Sequence, residues 1–395
     1  MSEIRVNSVK GVGASAAAIT IDNTSGSASA NLTAVNSVVM PNGGFLSNRN
    51  LVINGAMQVA QRGTSDTGSS GGYTTVDRFS HNVDSGVDIA QVDVASGTTP
   101  YTLGFRKALK FTNGDNTADT NDQQKINYKI ESQDLACSGW DSVNSNSKVT
   151  LSFWVKSSVA QTFIVHIFAD DADKVYAFEY SATTSWTKIT HTISGASGLT
   201  FNNDNGTGLS IQWFLYMGTD KTDNSFTYNA WGSYSGSSRS RDMATNWQTT
   251  DDATFELTGI QLEVGSVATD FEHRSYAQEL QLCKRYYTKW CEGNSKYVGN
   301  GLVSAATEVH AGISLPVSMR GTVAIDHTYG NDYWRIAGSM GGDKYIDGAW
   351  IVDNNQPNIF NIYTTPDTNL SSYVGDAGYV QGKNAASYMA FSSEL

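Results

Sequence analysis

Short runs in which hydrophobic and polar residues alternate recur along most of the chain. The clearest are KVTLSFWVKSS (148–158), TFIVHIFADD (162–171) and TFELTGIQLEVG (254–265). Alternation with a period of two places successive side chains on opposite faces of a strand, and turns rich in Asn, Asp, Gly and Ser separate the runs. The pattern predicts a mainly β protein whose larger part is a jelly-roll β-sandwich or a barrel.

One segment about 100 residues from the end has helical spacing instead. Ser275, with Gln278 three residues later, has the form of a capping box. The spacing predicts a helix over 273–292 that Gly293 closes. Five residues spaced three or four positions apart would form a seam along one face of this helix. The seam either packs on the helix's own domain or is shared around a three-fold axis in a homotrimer. The five seam residues are Tyr276, Leu280, Cys283, Tyr287 and Trp290.

Changes in composition divide the chain into four parts. Residues 1–48 are rich in Gly, Ser, Ala and Asn and cannot bury a core of their own, so they are either a flexible tail or an extended anchor that becomes ordered only against copies of itself or a docking partner. Residues 49–272 contain most of the strand patterns, and 273–292 form a connecting helix. Residues 293–395 return to β patterns and are long enough for a smaller C-terminal β domain.

Composition also excludes some classes of partner. Charged residues make up 16% of the chain, aromatic residues 11%, and the net charge is −12. Nucleic-acid binding needs clustered Lys and Arg, and membrane insertion by a helix needs about 18 consecutive apolar residues. The sequence has neither, so no nucleic acid and no membrane insertion are expected. Its three cysteines are too few for a disulfide framework, which fits synthesis in a reducing cytoplasm.

No group of residues has the spacing of a catalytic or metal site. The histidines show no metal-ligand spacing, and there is no zinc motif, nucleophile elbow or phosphate loop. DDADK (170–174) and NNDNGTG (202–208) are oxygen-rich like calcium loops but lack their spacing, so they are either polar turns or a structural Ca²⁺ site. No cofactor, resident metal or catalytic residue is predicted. A hydrolase that uses paired carboxylates is a lesser alternative.

Aromatic residues flanked by Asn, Asp, Gln and Arg are the most informative feature for function. This composition is typical of β surfaces that bind sugars, and it occurs in the loop 219–252 and in the C-terminal region. Packing in a core is the alternative for each ring. The candidate carbohydrate-binding or receptor-binding residues are Trp231, Tyr234, Trp247, Tyr329, Tyr333, Trp334, Tyr345 and Trp350.

Three segments resemble parts of a domain common in bacteriophage tail-fibre and other virion appendage proteins. NLVINGAMQVAQRG with YTTVDRF (50–79) resembles its opening, and FELTGIQLEVGSVATDFEHRSYAQELQLCKRYY (255–287) is similar to its closing strand and helix. SFWVKSSVAQTFIVHIF through TTSWTKITHTISG (152–195) resembles the middle strands of a carbohydrate-binding-module-like jelly roll. The two ends of the chain resemble marine or cyanobacterial phage fibre proteins more loosely.

The resemblance implies a virion structural protein, a homotrimeric tail fibre made in the host cytoplasm. Its N-terminal segment would bind other virion tail proteins, and its C-terminal domain would recognise a host cell-surface glycan or protein receptor during adsorption. The resemblance transfers no catalytic residue, so the protein is expected not to be an enzyme. The alternatives are a structural adaptor, head fibre or decoration protein without a receptor and, less favoured, a polysaccharide depolymerase.

Overall fold

Short antiparallel strands form the described part of the N-terminal segment. The computed structural model describes residues 8–9, 19–21, 28–30, 48–83, 86–114, 117–338, 340, 342–353, 356–366 and 369–395. In the first unit, Met1–Leu46, β1 (Ser8–Val9), β2 (Ile19–Ile21) and β3 (Ala28–Ala30) pair in that order. Apart from these strands and residue 48, the predicted attachment segment 1–48 lies outside the described residues, so its role stays a prediction.

The second unit, Ser47–Leu395, begins with a β-sandwich. Its strands are β4 (Ser65–Ser69), β5 (Phe79–Val83), β6 (Val87–Asp93), β7 (Lys107–Thr112), β8 (Gln123–Glu131), β9 (Lys148–Ser157), β10 (Gln161–Ala169), β11 (Lys174–Ala182), β12 (Thr187–Ser194), β13 (Thr207–Met217), β14 (Gly232–Ser233) and β15 (Thr254–Val264). Sheet I has the order β12–β9–β15–β7–β6–β4, and sheet II has the order β14–β11–β10–β13–β8–β5. The prediction of a jelly-roll β-sandwich is confirmed.

Alternate residues of the two sheets meet in one core. The Phe153 ring of sheet I meets Trp213 of sheet II edge-on at a centroid distance of 5.8 Å. Phe163 and Phe255 make a similar contact at 5.2 Å. Aromatic rings prefer such edge-to-face contacts to parallel stacking, and aligned sheets interdigitate their inner side chains in this way. In the period-two runs, every second side chain therefore lies in the core.

Short helices lie in the connections of the sandwich. They are α1 (Thr99–Thr102), α2 (Ser132–Ala136) and two 3₁₀ helices, Asp170–Ala172 and Thr219–Lys221. The long polar loop 219–252 folds over the outer face of sheet II, where Phe226 packs in a cluster with Ile164 and Phe214. The loop therefore closes a second, smaller core.

The helix that follows the sandwich is shorter than predicted. Helix α3 spans Tyr276–Lys284, and the capping box is confirmed because the Ser275 side chain accepts from the Gln278 backbone N–H. Its buried residues are Glu279 and Cys283, one turn apart. Glu279 accepts a hydrogen bond from the backbone N–H of Asn54. The buried face of α3 is thus turned toward its own sandwich.

The second half of the predicted helix is a strand, and the prediction of a helix over 273–292 is wrong there. Tyr287–Glu292 forms β16, which pairs with β25 (Tyr388–Ser392) at the end of the chain. Tyr287 and Thr288 lie opposite Ser392 and Phe391. Aromatic and β-branched residues suit a strand once a partner strand is present, and that partner lies about 100 residues away.

The five residues of the predicted seam therefore do not share one helix. Tyr276 is exposed and Leu280 half-buried on α3, but Cys283 is fully buried. Tyr287 and Trp290 lie on β16, where Tyr287 is buried and Trp290 Nε1 donates to the Val298 carbonyl at 2.8 Å. A three-fold seam through these five side chains is wrong in this form, because helix spacing ends at Lys284. The homotrimer itself stays a prediction.

The C-terminal β region is built from two sheets. Its strands, with β16 and β25, are β17 (Tyr297–Ala305), β18 (Glu308–Ser314), β19 (Ala324–His327), β20 (Trp334–Gly338), β21 (Lys344–Ile346), β22 (Ile351–Asp353), β23 (Ile359–Thr364) and β24 (Ala377–Gly382). A 3₁₀ helix, Ser371–Tyr373, lies before β24. Sheet III has the order β16–β25–β19, and sheet IV, with seven strands, has the order β21–β20–β24–β17–β18–β23–β22.

The two sheets of the C-terminal region share a core of their own. Val303 and Ile336 from sheet IV and Phe391 from sheet III are fully buried in it. The prediction of a smaller C-terminal β domain is confirmed, with β16 as an additional strand that precedes residue 293. No helix among the described residues is long and apolar enough to cross a membrane.

Candidate functional site

A cleft opens on the outer face of sheet I beside a β-bulge in β15. The register shifts between Thr258, which lies opposite Trp154, and Gln261, which lies opposite Ser152. The bulge contains Gly259, whose φ of +63° is in the left-handed region. Bulges re-aim side chains and are common next to functional sites. Here the bulge lies at the floor of the cleft.

Glycine is required at position 259 for space as well as for backbone conformation. A Cβ there would lie 2.7 Å from Phe105 Cζ and 3.0 Å from Trp154 Cδ1. Both distances are shorter than van der Waals contact between carbon atoms. The missing side chain therefore lets the two rings approach the bulge and form the apolar floor.

We expect Gly259→Ala to lower the free energy of unfolding by about 2 kcal/mol, since it adds a steric clash to a strained φ. Urea unfolding of the full chain measures this. Gly68→Ala is the matched control, because Gly68 also has a φ of +63° but no atom within 4 Å of its Cβ position. An equal loss in both variants would contradict the steric argument.

One wall of the cleft is a cluster of three rings. The ring centroid of Phe105 lies 4.9 Å from that of Phe271 and 5.1 Å from that of His273, and Phe271 and His273 are 4.9 Å apart. His273 Nε2 also lies 2.8 Å from the Leu103 carbonyl oxygen. Ring packing and this polar contact hold Phe271 and His273, which follow β15, against Phe105, which follows α1.

The rim of the cleft carries one cation and one carboxylate. Lys188 lies directly opposite Trp154 on the neighbouring strand β12, and Asp270 lies in the segment after β15. Both are exposed. Within the described part of the chain, neither charged group has an ion-pair or hydrogen-bond partner. Both therefore remain free to bond to a ligand.

The size and lining of the cleft limit what it can hold. Its volume is about 230 Å³, below the roughly 300–1,000 Å³ typical of drug-sized pockets. The lining residues are Leu103, Phe105, Ser152, Trp154, Lys188, Gly259, Asp270, Phe271 and His273. Aromatic faces with a few polar groups at the rim suit a small ring that has apolar C–H groups and several hydroxyls.

The predicted binding residues of the loop 219–252 lie in different places. Trp247 is fully buried in the core of the sandwich, so its prediction as a ligand-binding residue is wrong. Trp231 is half-buried, and its Nε1 donates to the Ser194 carbonyl at 2.8 Å. Tyr234 is exposed and lies on Phe168 at a centroid distance of 4.7 Å. Trp247 and Trp231 thus pack in or against the core between the sheets, and Tyr234 packs on Phe168 of sheet II.

Two of the predicted C-terminal residues also belong to the core. Trp334 and Trp350 are buried and meet edge-on with ring centroids 6.4 Å apart. Trp334 Nε1 donates to the Thr328 carbonyl at 2.6 Å. Their prediction as binding residues is wrong, because strand alternation turns Trp334 inward and the loop before β22 places Trp350 beside it.

The three predicted tyrosines of this region reach the surface. Tyr329 and Tyr345 are exposed, and Tyr333 is half-buried. Lys383 contacts both Tyr345 and Tyr333. Its side-chain Nζ lies 3.4 Å from the Tyr345 ring centroid, and its backbone N–H donates to the Tyr333 carbonyl at 2.8 Å. Their role in binding stays a prediction.

The cleft residues were not among those predicted, although two sequence signals point to them. Trp154 and Lys156 alternate onto the same face of β9, which indicates a partly solvated outer face, and both are half-buried. An isolated glycine within a strand pattern, such as Gly259, signals a bulge. No local signal indicates that Phe105 and Phe271 come together, because they lie far apart in the sequence.

The two oxygen-rich runs considered as calcium loops meet in the structure. The Asp171 carboxylate accepts hydrogen bonds from Ser132 Oγ at 2.7 Å and from Asn202 Nδ2 at 2.7 Å. These donors occupy oxygens that a calcium ion would need. No group of three or more His, Cys, Asp or Glu in the described ranges has the geometry of a metal site.

Comparisons with known proteins give solved structures of carbohydrate-binding modules. A CBM4 structure aligns with 54% of this chain and 98% of its own length at 14% identity and a TM-score of 0.27. TmCBM61 in complex with β-1,4-galactotriose covers 55% of this chain and 99% of its own at 8% identity and a TM-score of 0.27. A family 11 module from Clostridium thermocellum, bound to a mixed-linked tetrasaccharide, has 11% identity and a TM-score of 0.25. No protein-family model and no curated protein match the sequence.

Proposed function

We propose that this chain is a bacteriophage tail-fibre protein that binds a host-surface glycan through the cleft on sheet I and does not cleave it. The resemblance of residues 50–292 to virion appendage domains supports the virion part of the proposal. The cleft carries the binding part, since Trp154 forms its floor and the charged groups of Lys188 and Asp270 lie at its rim without a partner among the described residues. The N-terminal segment would attach the protein to other tail proteins.

The chemistry of the cleft favours a sugar over an apolar ligand. The Trp154 and Phe271 rings can pack against the C–H face of a pyranose, while a hydroxyl can donate to Asp270 and accept from Lys188. A cleft of this size has modest affinity alone. Several copies on one particle would raise avidity by about 10²-fold or more where the geometry permits simultaneous binding.

The first test is binding of the full-length protein to immobilised mono- and oligosaccharides. Binding to at least one glycan is expected for the wild type. Trp154→Ala and Lys188→Ala should each weaken it by about tenfold or more, because they remove the stacking surface and a charged hydrogen bond. Lys148→Ala is the matched control, since Lys148 lies at the other end of β9, about 20 Å from Trp154.

Two outcomes would overturn parts of the proposal. Glycan binding that survives Trp154→Ala and Lys188→Ala would remove the cleft from it, and a protein that binds no host glycan or host cell would favour a structural adaptor. Release of new reducing ends from the bound glycan would show a depolymerase. Purified virions probed with an antibody against the protein test its place in the particle.

A further inference from the structure

The cleft on sheet I carries two opposite charges that do not neutralise each other. The Lys188 ammonium and the Asp270 carboxylate line the same cleft, but they form no ion pair with each other or with another described residue. A neighbouring cation on the same sheet is neutralised, since Lys156 Nζ lies 2.9 Å from Glu256 Oε1. The cleft therefore offers one positive and one negative group to a ligand.

The rest of the cleft is mainly aromatic, with Phe105, Trp154, Phe271 and His273 in its lining. Phe105, Trp154 and Phe271 also pack in one cluster with Trp186, so the rings are held in place before a ligand arrives. Aromatic rings attract cations, and several rings together recognise quaternary ammonium groups. Methyl groups on the nitrogen also suit an apolar lining better than a strongly hydrated primary amine does. The lining therefore favours a methylated ammonium group.

The two charges at the rim favour a ligand that carries both signs. The Asp270 carboxylate attracts an ammonium group, and the Lys188 ammonium can donate to the oxygens of a phosphate. A simple cation would also lie near Lys188, and a simple anion would also lie near Asp270, so a like charge would oppose the binding of either. A zwitterion has a favourable partner for each of its charges.

The dimensions of the cleft suit a small group attached to a larger molecule. Its volume of about 230 Å³ lies below that of pockets for drug-sized ligands, so it cannot enclose several sugar rings. Lys188 and Asp270 are both exposed at the rim. A pendant substituent can therefore enter the cleft while the glycan that carries it stays in solvent.

We propose that the cleft binds a zwitterionic substituent of the host glycan, with a methylated ammonium group against the rings and Asp270 and a phosphate at Lys188. Phosphocholine is a small group with this chemistry, because a short linker joins its trimethylammonium group to its phosphate. The inference rests on the proposed function, since it names the part of the glycan that the same cleft recognises.

Isothermal titration calorimetry of the full-length protein with phosphocholine, choline and inorganic phosphate, each alone, tests the inference. The wild type should bind phosphocholine about fivefold more tightly than choline or phosphate, because phosphocholine satisfies both charges. Lys188→Gln should abolish the advantage of phosphocholine over choline, and Asp270→Asn should weaken the binding of both by about fivefold. Lys148→Gln is the matched control and should change neither affinity, since Lys148 lies at the other end of β9 from Trp154.

Circular dichroism shows that each variant is folded. Equal affinities of the wild type for phosphocholine and choline would overturn the inference, and so would an unchanged ratio of the two affinities in Lys188→Gln. Binding to phosphatidylcholine vesicles without binding to a phosphocholine-bearing glycan would overturn the assignment of the substituent to a glycan.

The same measurements separate this inference from the proposed function. If phosphocholine does not bind, but a neutral glycan binds and Trp154→Ala abolishes that binding, the zwitterionic substituent is wrong and the glycan site stands. If neither phosphocholine nor any immobilised glycan binds, the glycan site is wrong as well.

Discussion

Replacing Arg78 by methionine should lower the free energy of unfolding by about 3 kcal/mol, the lower end of the cost of removing one partner of a buried ion pair, because Arg62 still faces Glu394. Arg78 is 1% exposed, and its Nη1 lies 2.7 Å from Glu394 Oε2. Its guanidinium also lies 3.3 Å from the Tyr286 ring centroid, and Nη2 donates to the Lys129 carbonyl at 2.7 Å. Without Arg78, the Glu394 carboxylate would keep the guanidinium of Arg62, at 3.2 Å, but would lose its shorter ion pair.

Urea unfolding of Arg78→Met, Glu394→Gln and the double variant measures the coupling. The double variant should lose less than the sum of the two single losses, because each single change already breaks the pair. Methionine is preferred to glycine, since Arg78 has a φ of 74° and glycine would relieve backbone strain at the same time. Lys107→Met is the control, because the Lys107–Asp93 pair is exposed and should contribute less than about 1 kcal/mol. Equal losses for Arg78→Met and Lys107→Met would contradict the prediction.

This ion pair connects the end of the chain to the sandwich. Glu394 lies two residues after the end of β25, and its carboxylate also lies 3.2 Å from Arg62 Nη1. On the other side of the junction, Arg285 holds Glu131 with two hydrogen bonds of 2.7 and 2.8 Å. Fragments cut at residue 293 would lose the contacts of Glu394 with Arg62 and Arg78 and would separate β16 from β25. Binding and assembly are therefore best measured on the full chain.

Acidification from about pH 7 to about pH 4.5 should lower the free energy of unfolding by about 1–2 kcal/mol, because the loss from buried histidines that resist protonation exceeds the gain from buried aspartates that become neutral. Burial lowers the pKa of His81 to about 4 and that of His166 to about 3. For His166, Lys125 and Arg239 lower the pKa further. His166 stacks on Phe214 at 5.1 Å, and His81 Nε2 lies 2.7 Å from Ser69 Oγ.

The sign follows from comparison with the unfolded chain, in which a histidine titrates near about 6.5. Above that pH both states are neutral at these residues, and their stabilising contribution is fully present. As the pH falls toward about 4, these histidines become protonated in the unfolded state but stay largely neutral in the folded state. The free energy of unfolding therefore falls by about 2–3 kcal/mol for each of the two histidines at about pH 4.5. Asp77 and Asp170 act in the opposite direction. Burial raises the pKa of both to about 6, so each regains about 2 kcal/mol over the same pH range, and together they offset most of the loss.

Urea unfolding at about pH 7 and about pH 4.5 tests this prediction. His166→Gln should reduce the difference between the two pH values, since glutamine does not titrate. His310→Gln is the control, because His310 is only half-buried on the outer face of sheet IV. A wild type with the same stability at both pH values would contradict the prediction. An unchanged pH dependence in His166→Gln would assign the effect to other groups.

The sequence alone determined the features that depend on near neighbours. Period-two alternation in runs such as 148–158 identifies strands, because a strand must bury every second side chain in the sandwich. The capping box of Ser275 and Gln278 identifies the start of α3, because its hydrogen bonds span only three residues. The mainly β class and the change of structure near residue 275 follow from these local patterns.

Only the tertiary structure decided what depends on distant partners. Tyr287 has both helical and strand spacing, and its pairing with Ser392 selects the strand. Trp247 and Trp334 have the composition of binding residues, but long-range packing buries them. The cleft brings Phe105, Trp154 and Phe271 together from three segments. Local spacing cannot specify such contacts, because they form only when separate strands take their places in the sheets.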